Sequence, residues 1–128
     1  MKQGGEHKNG GGLIMANITH YSVLFYGGNR GYQDNRAQIA LYTSGTSSSF
    51  AYLRFRDTGA GPGSGTGTGS LMLPPDEFTG GRIVMYLPSS MLDSVLTALR
   101  NEAPIECYWA SDRGFLSTGS REPVGEAE

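Results

Sequence analysis

The sequence predicts an α+β domain in which an antiparallel sheet of about five or six strands packs against one amphipathic helix, in the order β-β-β-β-α-β-β. Three observations predict it. Short segments rich in β-branched and aromatic residues recur along the chain, and several alternate in character, as Ala37-Gln38-Ile39-Ala40-Leu41-Tyr42 does. Leu92, Val95, Leu96 and Leu99 fall at i, i+3, i+4 and i+7, which places one apolar stripe along a single helix. Glycine- and proline-rich stretches separate these segments at strand-sized intervals.

Residues 1–12 are polar and glycine-rich, without the apolar segment of a secretory signal, and 1–16 are expected to form a disordered extension outside a domain spanning 17–118. Ile18 to Tyr26 is the first expected strand, ended by Gly27-Gly28. Turn residues lead to the second, Ala37 to Thr43, and a polar Ser/Thr/Gly turn leads to the third, Phe50 to Asp57. These two are expected to pair as a hairpin.

Glycine then occupies every second position from Gly59 to Gly69. Glycine buries no side chain and loses the most backbone entropy on ordering, so 59–70 is expected to be a flexible loop. Pro74-Pro75 marks an irregular or edge segment before a fourth strand, Arg82 to Leu87. Pro88 closes that strand. The helix is expected over Ser89 to Glu102, capped by Ser89 or Ser90, with Asp93 in the capping-box position relative to Ser90. Ile105 to Ala110 and Phe115 to Thr118 form a closing hairpin around a turn at Ser111 to Gly114, and 119–128 is an acidic tail.

Composition narrows the function classes. A 128-residue chain with two polar ends leaves a thin core of roughly 90 residues, so a homodimer is expected. No apolar run approaches the ~20 residues of a membrane-spanning helix, and no membrane partner is expected. Cys107 is the only cysteine, which excludes an internal disulfide and suggests a reducing, cytoplasmic setting.

Catalytic and cofactor motifs fail individually. A phosphate loop needs a helix N-terminus directly after its glycines, but Leu71-Met72-Leu73-Pro74-Pro75 follows here. His7, His20 and Cys107 are too few for a metal centre, and Asp76-Glu77 lack the spaced oxygen ligands of a calcium loop. A Cys107 nucleophile activated by His20 is the less favoured reading of a cysteine inside the apolar segment Glu106-Cys107-Tyr108-Trp109-Ala110, which reads as a packed side chain. No cofactor and no catalytic residue are expected.

Strand alternation yields the one candidate site. If Ile39, Leu41, Leu53, Phe55, Ile83, Met85 and Leu87 face the helix, the other sheet face gathers Gln38, Tyr42, Phe50, Tyr52, Arg54, Arg56, Arg82, Val84 and Tyr86. Rings that stack on bases and arginines that neutralise phosphates are what single-stranded DNA or RNA requires. The candidate binding residues are Tyr42, Tyr52, Arg54, Arg56, Arg82 and Tyr86. The net charge of −2 supplies no long-range attraction to a polyanion, and the same residue types suit a protein-interaction surface on a structural subunit.

Four β segments followed by a helix, with an aromatic and basic sheet face over Ile18 to Glu102, resemble the helix-swapped single-stranded DNA-binding transcriptional regulators, the group of the Whirly proteins and positive-cofactor coactivators. The resemblance implies a dimer in which β4α units exchange helices, and binding of single-stranded DNA.

Overall fold

A computed structural model of the chain describes residues 14–27, 35–57, 73–119 and 124. The described residues form eight strands and one α-helix: β1 (Ile14–Ile18), β2 (His20–Phe25), β3 (Asn35–Tyr42), β4 (Ala51–Arg56), β5 (Glu77–Thr79), β6 (Arg82–Pro88), α1 (Leu92–Asn101), β7 (Ile105–Ala110) and β8 (Arg113–Thr118). The α+β class holds, but the strands form two sheets: a three-stranded one, β1-β7-β8, and a five-stranded one, β2-β3-β4-β6-β5. Six strands, not four, precede the helix.

The expected first strand, Ile18 to Tyr26, covers β2 and only the last residue of β1, and a change of phase separates the two. The residues packed on the core are Ile14, Ala16 and Ile18 before Thr19, but Tyr21 and Val23 after it. Because side chains alternate with period two, one continuous strand cannot hold both sets inward. The chain therefore changes sheets at Thr19. β1 pairs antiparallel with β7, Ala16 opposite Cys107, and β2 pairs antiparallel with β3. Residues 14–16, expected outside the fold, are thus part of it. Residues 1–13, the alternate-glycine segment 59–70 and the tail beyond Gly119, Val124 apart, lie outside the described residues.

The β3–β4 hairpin forms as expected. β6, however, runs parallel to β4, Leu53 opposite Met85, so the larger sheet is mixed rather than antiparallel. The connection from Asp57 to Gly81 is long enough for the crossover that a parallel pair needs. β5 then turns tightly into β6 through Gly80 and Gly81, at φ +61° and +77°. Consecutive left-handed residues define the two-residue hairpin turn whose twist matches its strands. Ser111 and Asp112, at φ 53° and 64°, make the corresponding turn between β7 and β8, so β8 begins at Arg113 rather than Phe115.

The expected capping box is absent. A 3-10 turn over Ser89–Met91 precedes α1, and neither segment has a side-chain cap hydrogen bond. Leu92 N–H donates to Ser89 O within the 3-10 turn, while the Ser89 hydroxyl donates to the Asp57 carboxylate. Orphan helix donors are thus met partly by tightening of the backbone.

The core lies between the five-stranded sheet on one side and α1 with the three-stranded sheet on the other. Ala37, Ile39, Leu41, Ala51, Leu53, Phe55 and Ile83 are fully buried, and Ala16, Cys107, Val95 and Leu96 join the same cluster. Each large side chain buried there contributes roughly 1.5–3 kcal/mol. Two features seat the sheets on each other. A Cβ on Gly114 of β8 would lie 2.4 Å from Met85 Cγ and 2.9 Å from Ile83 Cγ2, so only glycine permits this approach. Asp76 spans the same junction, accepting the N–H of Tyr86 on β6 at 2.9 Å and that of Gly114 at 3.0 Å.

Candidate nucleic-acid interface

The five-stranded sheet sends Ala37, Ile39 and Leu41 of β3 and Ala51, Leu53 and Phe55 of β4 into the core and the alternate residues of β4 outward. Tyr52 and Arg54 are half-buried between fully buried neighbours, Arg56 is half-buried after Phe55, and Arg82 and Tyr86 are half-buried on β6. Parallel register sets Tyr52 opposite Val84 and Arg54 opposite Tyr86. Tyr42 closes β3 on this face, opposite His20 of β2.

Five of the six candidate residues form stacked pairs. The guanidinium of Arg82 lies over the Tyr52 ring at 4.9 Å, Arg54 over the same ring at 5.4 Å, and Arg56 over Tyr86 at 5.1 Å. Tyr42 has no stacking partner among the described residues. Each arginine is also oriented through Nε: Arg54 donates to Gln38 Oε1 at 2.8 Å, Arg56 to Asn35 Oδ1 at 2.8 Å and Arg82 to Ser49 O at 3.3 Å. A guanidinium fixed at Nε and stacked on a ring has lost most of its freedom before any ligand arrives.

Phe50 does not belong to the face. It precedes the first ladder residue of β4 and is buried in the core, with its N–H on Leu41 O and its carbonyl accepting from Ile83. The pairing thus turns its side chain inward before strand alternation begins. Conversely, the β2–β3 register adds His20, Ser22 and Leu24 to the outward side, and β5 adds Glu77 opposite Val84. Asn35 is a further orienting residue that the alternation of β3 alone does not reveal, since a register irregularity between Asn35 and Ala37 places it opposite Arg56.

The remaining candidates separate. Cys107 is fully buried in the small sheet, where desolvation pushes its thiol up to about 12, whereas His20 is exposed on β2 with Nδ1 2.8 Å from Thr19 Oγ1. They make no nucleophile and base pair. A cleft of about 660 Å³ opens between α1, β6 and the free edge of β8, with Met85, Leu87, Met91, Val95 and Phe115 in its lining. It contains neither His20 nor Cys107, and both oxygens of its Asp76 already accept backbone N–H groups. Among the described residues no cluster of histidine, cysteine and carboxylate groups could hold a metal ion, and no helix is long and apolar enough to cross a membrane. No protein family, curated protein or solved structure matches this chain.

Proposed function

We propose that this chain is a binding module for single-stranded nucleic acid, engaged by the arginine and tyrosine face of the five-stranded sheet. The observation that carries the reading is the preorganisation of Arg54, Arg56 and Arg82, each stacked on a tyrosine and held through Nε. Stacked guanidinium planes extend the π surface of Tyr52 and Tyr86, so an unpaired base can lie on ring or guanidinium while the cations meet the phosphates. Duplex DNA offers no exposed base faces to such a flat surface. The candidate residues include three arginines and no carboxylate, and the carboxylate that β5 adds beside them is Glu77, so their local charge is opposite in sign to that of the whole chain.

Fluorescence anisotropy with an unstructured oligonucleotide tests the reading. Three phosphate contacts on a single strand imply a salt slope near −2, so affinity should fall roughly 20-fold between ~50 and ~200 mM salt. Arg54→Ala and Arg82→Ala should each weaken binding and flatten that slope. Absence of binding at the lower salt refutes the proposal.

A protein-interaction surface is the second reading. It is favoured by the chain's net charge of −2 and by the enrichment of arginine and tyrosine at the centres of interfaces.

A further inference from the structure

We propose that β2 is a self-pairing edge through which two copies of the chain join antiparallel about a twofold axis at Val23. Among the described residues β2 is hydrogen-bonded on one side only, to β3. The N–H of Tyr26 donates to Arg36 O at 3.1 Å, one step beyond the Phe25–Ala37 pair, so Tyr26 and Arg36 are directly opposite and hydrogen-bonded. Antiparallel ladders alternate, so His20, Ser22 and Leu24 also turn their backbone groups toward β3. The N–H and C=O of Tyr21, Val23 and Phe25 therefore point to the open edge.

That edge lacks the protection that the β5 and β8 edges have, and unlike β1, which ends in the half-buried Ile18, it ends in exposed apolar residues. β5, at the far side of the same sheet, is only three residues long and carries Glu77. On the edge of β8, the outward N–H of Gly114 is occupied by Asp76. β2 contains no lysine, arginine, carboxylate or proline in His20–Phe25, and it ends in Leu24 at 51% exposure and Phe25 at 64%. Tyr26 follows as a third consecutive exposed apolar residue. Natural edge strands of this length are ordinarily blunted by charge, proline or bulges.

The occupant is a second copy because the pattern is its own complement. With the axis at Val23, Tyr21 of one copy exchanges both backbone bonds with Phe25 of the other, and Val23 pairs with its equivalent. On the inner side this stacks Tyr21 against the second copy's Phe25, and on the outer side Ser22 meets the second copy's Leu24. Aromatic and branched cross-strand pairs of this kind stabilise sheets. An isologous contact also closes on itself, leaving no free β2 edge. The two five-stranded sheets become one continuous sheet whose arginine and tyrosine faces lie on the same side.

Charge exchange at the exposed pair tests this on the full chain. Ser22→Lys with Leu24→Lys sets lysines opposite each other across the axis, and Ser22→Glu with Leu24→Glu does the same with carboxylates. Sedimentation should give a dimer for the unaltered chain, monomers for each double variant alone, and a dimer again for their equimolar mixture. Hydrogen exchange should show the Val23 amide protected in the dimer and unprotected in the lysine variant, with core amides protected in both. An unaltered chain that stays monomeric, a lysine variant that still dimerises, or a Val23 amide that exchanges freely in the dimer overturns the proposal. The last outcome would identify another interface, such as helix exchange. Nucleic-acid binding is measured separately, and its absence would leave this result intact.

Discussion

Replacing Gly114 with alanine adds one methyl group where the three-stranded sheet presses on β6. The new Cβ would stand 2.4 Å from Met85 Cγ and 2.9 Å from both Met85 Sδ and Ile83 Cγ2. Met85 has rotatable bonds with which to retreat, but Ile83 is fully buried and held by β4 and β5. Overpacking of this kind costs ~1–3 kcal/mol. Displacing β8 to relieve it would stretch the 3.0 Å bond from Gly114 N–H to Asp76, a charge-assisted bond worth about 1.5–3 kcal/mol. Alanine returns about 0.5–1 kcal/mol by restricting the unfolded chain. The net expectation is a loss of ~2 kcal/mol, or a melting temperature lower by roughly 10 °C. Urea denaturation should show a lower midpoint at unchanged slope, and Met85→Ala should cost less in the Gly114→Ala background than alone, because the added methyl fills part of the space it opens. Gly114→Ala at or above the stability of the unaltered protein would refute the close-packing argument.

Asp76→Ala should cost ~2–4 kcal/mol by leaving the N–H groups of Tyr86 and Gly114 without their carboxylate, and Asp76→Asn less, since one acceptor survives; paired with Gly114→Ala in a urea cycle, the effects should not add. Gly80→Ala and Gly81→Ala should each lower stability by about 1 kcal/mol, because both positions have positive φ with open space around them and the cost is purely conformational. For Cys107 the sign follows from burial: its thiol is pushed up to about 12 in the fold but titrates near its ordinary value when unfolded, so the stabilisation is complete below ~pH 8.5 and lost toward pH 12. Over that window the stability difference between the unaltered protein and Cys107→Ala should shrink by up to about 1.4 kcal/mol per pH unit. A thiol reagent at pH 8 should label Cys107 only at the rate at which the domain opens, and rapid labelling of the folded protein would contradict its burial.

Much of the fold was legible because local periodicity reports which side chains a sheet or helix must hide. The alternation of Ala51, Leu53 and Phe55 with Tyr52, Arg54 and Arg56 assigned both faces of β4, and the spacing of Leu92, Val95, Leu96 and Leu99 assigned the apolar stripe of α1. That same alternation placed the arginines and tyrosines of the candidate site on one surface. What alternation does not encode is the partner of each strand. Ile18 to Tyr26 looks locally like one strand and 14–16 like part of the extension before it, and nothing in either says that Ala16 will meet Cys107 while Val23 meets Ile39. The parallel β4–β6 pairing was equally hidden, since strand direction depends on a crossover rather than on the residues paired. The orienting bonds from Arg54 to Gln38 and from Arg56 to Asn35 also join residues far apart in the chain.

By itself, then, the sequence determined the α+β class and the inward and outward faces of β3, β4 and β6, which follow from interactions within a few residues. Only the tertiary structure decided that there are two sheets, that Asp76 and Gly114 lock them together, that Phe50 leaves the outward face, and that β2 is paired on one side only among the described residues. Each of these depends on which distant backbone supplies a hydrogen bond or fills a volume, and that is settled by packing the whole chain at once.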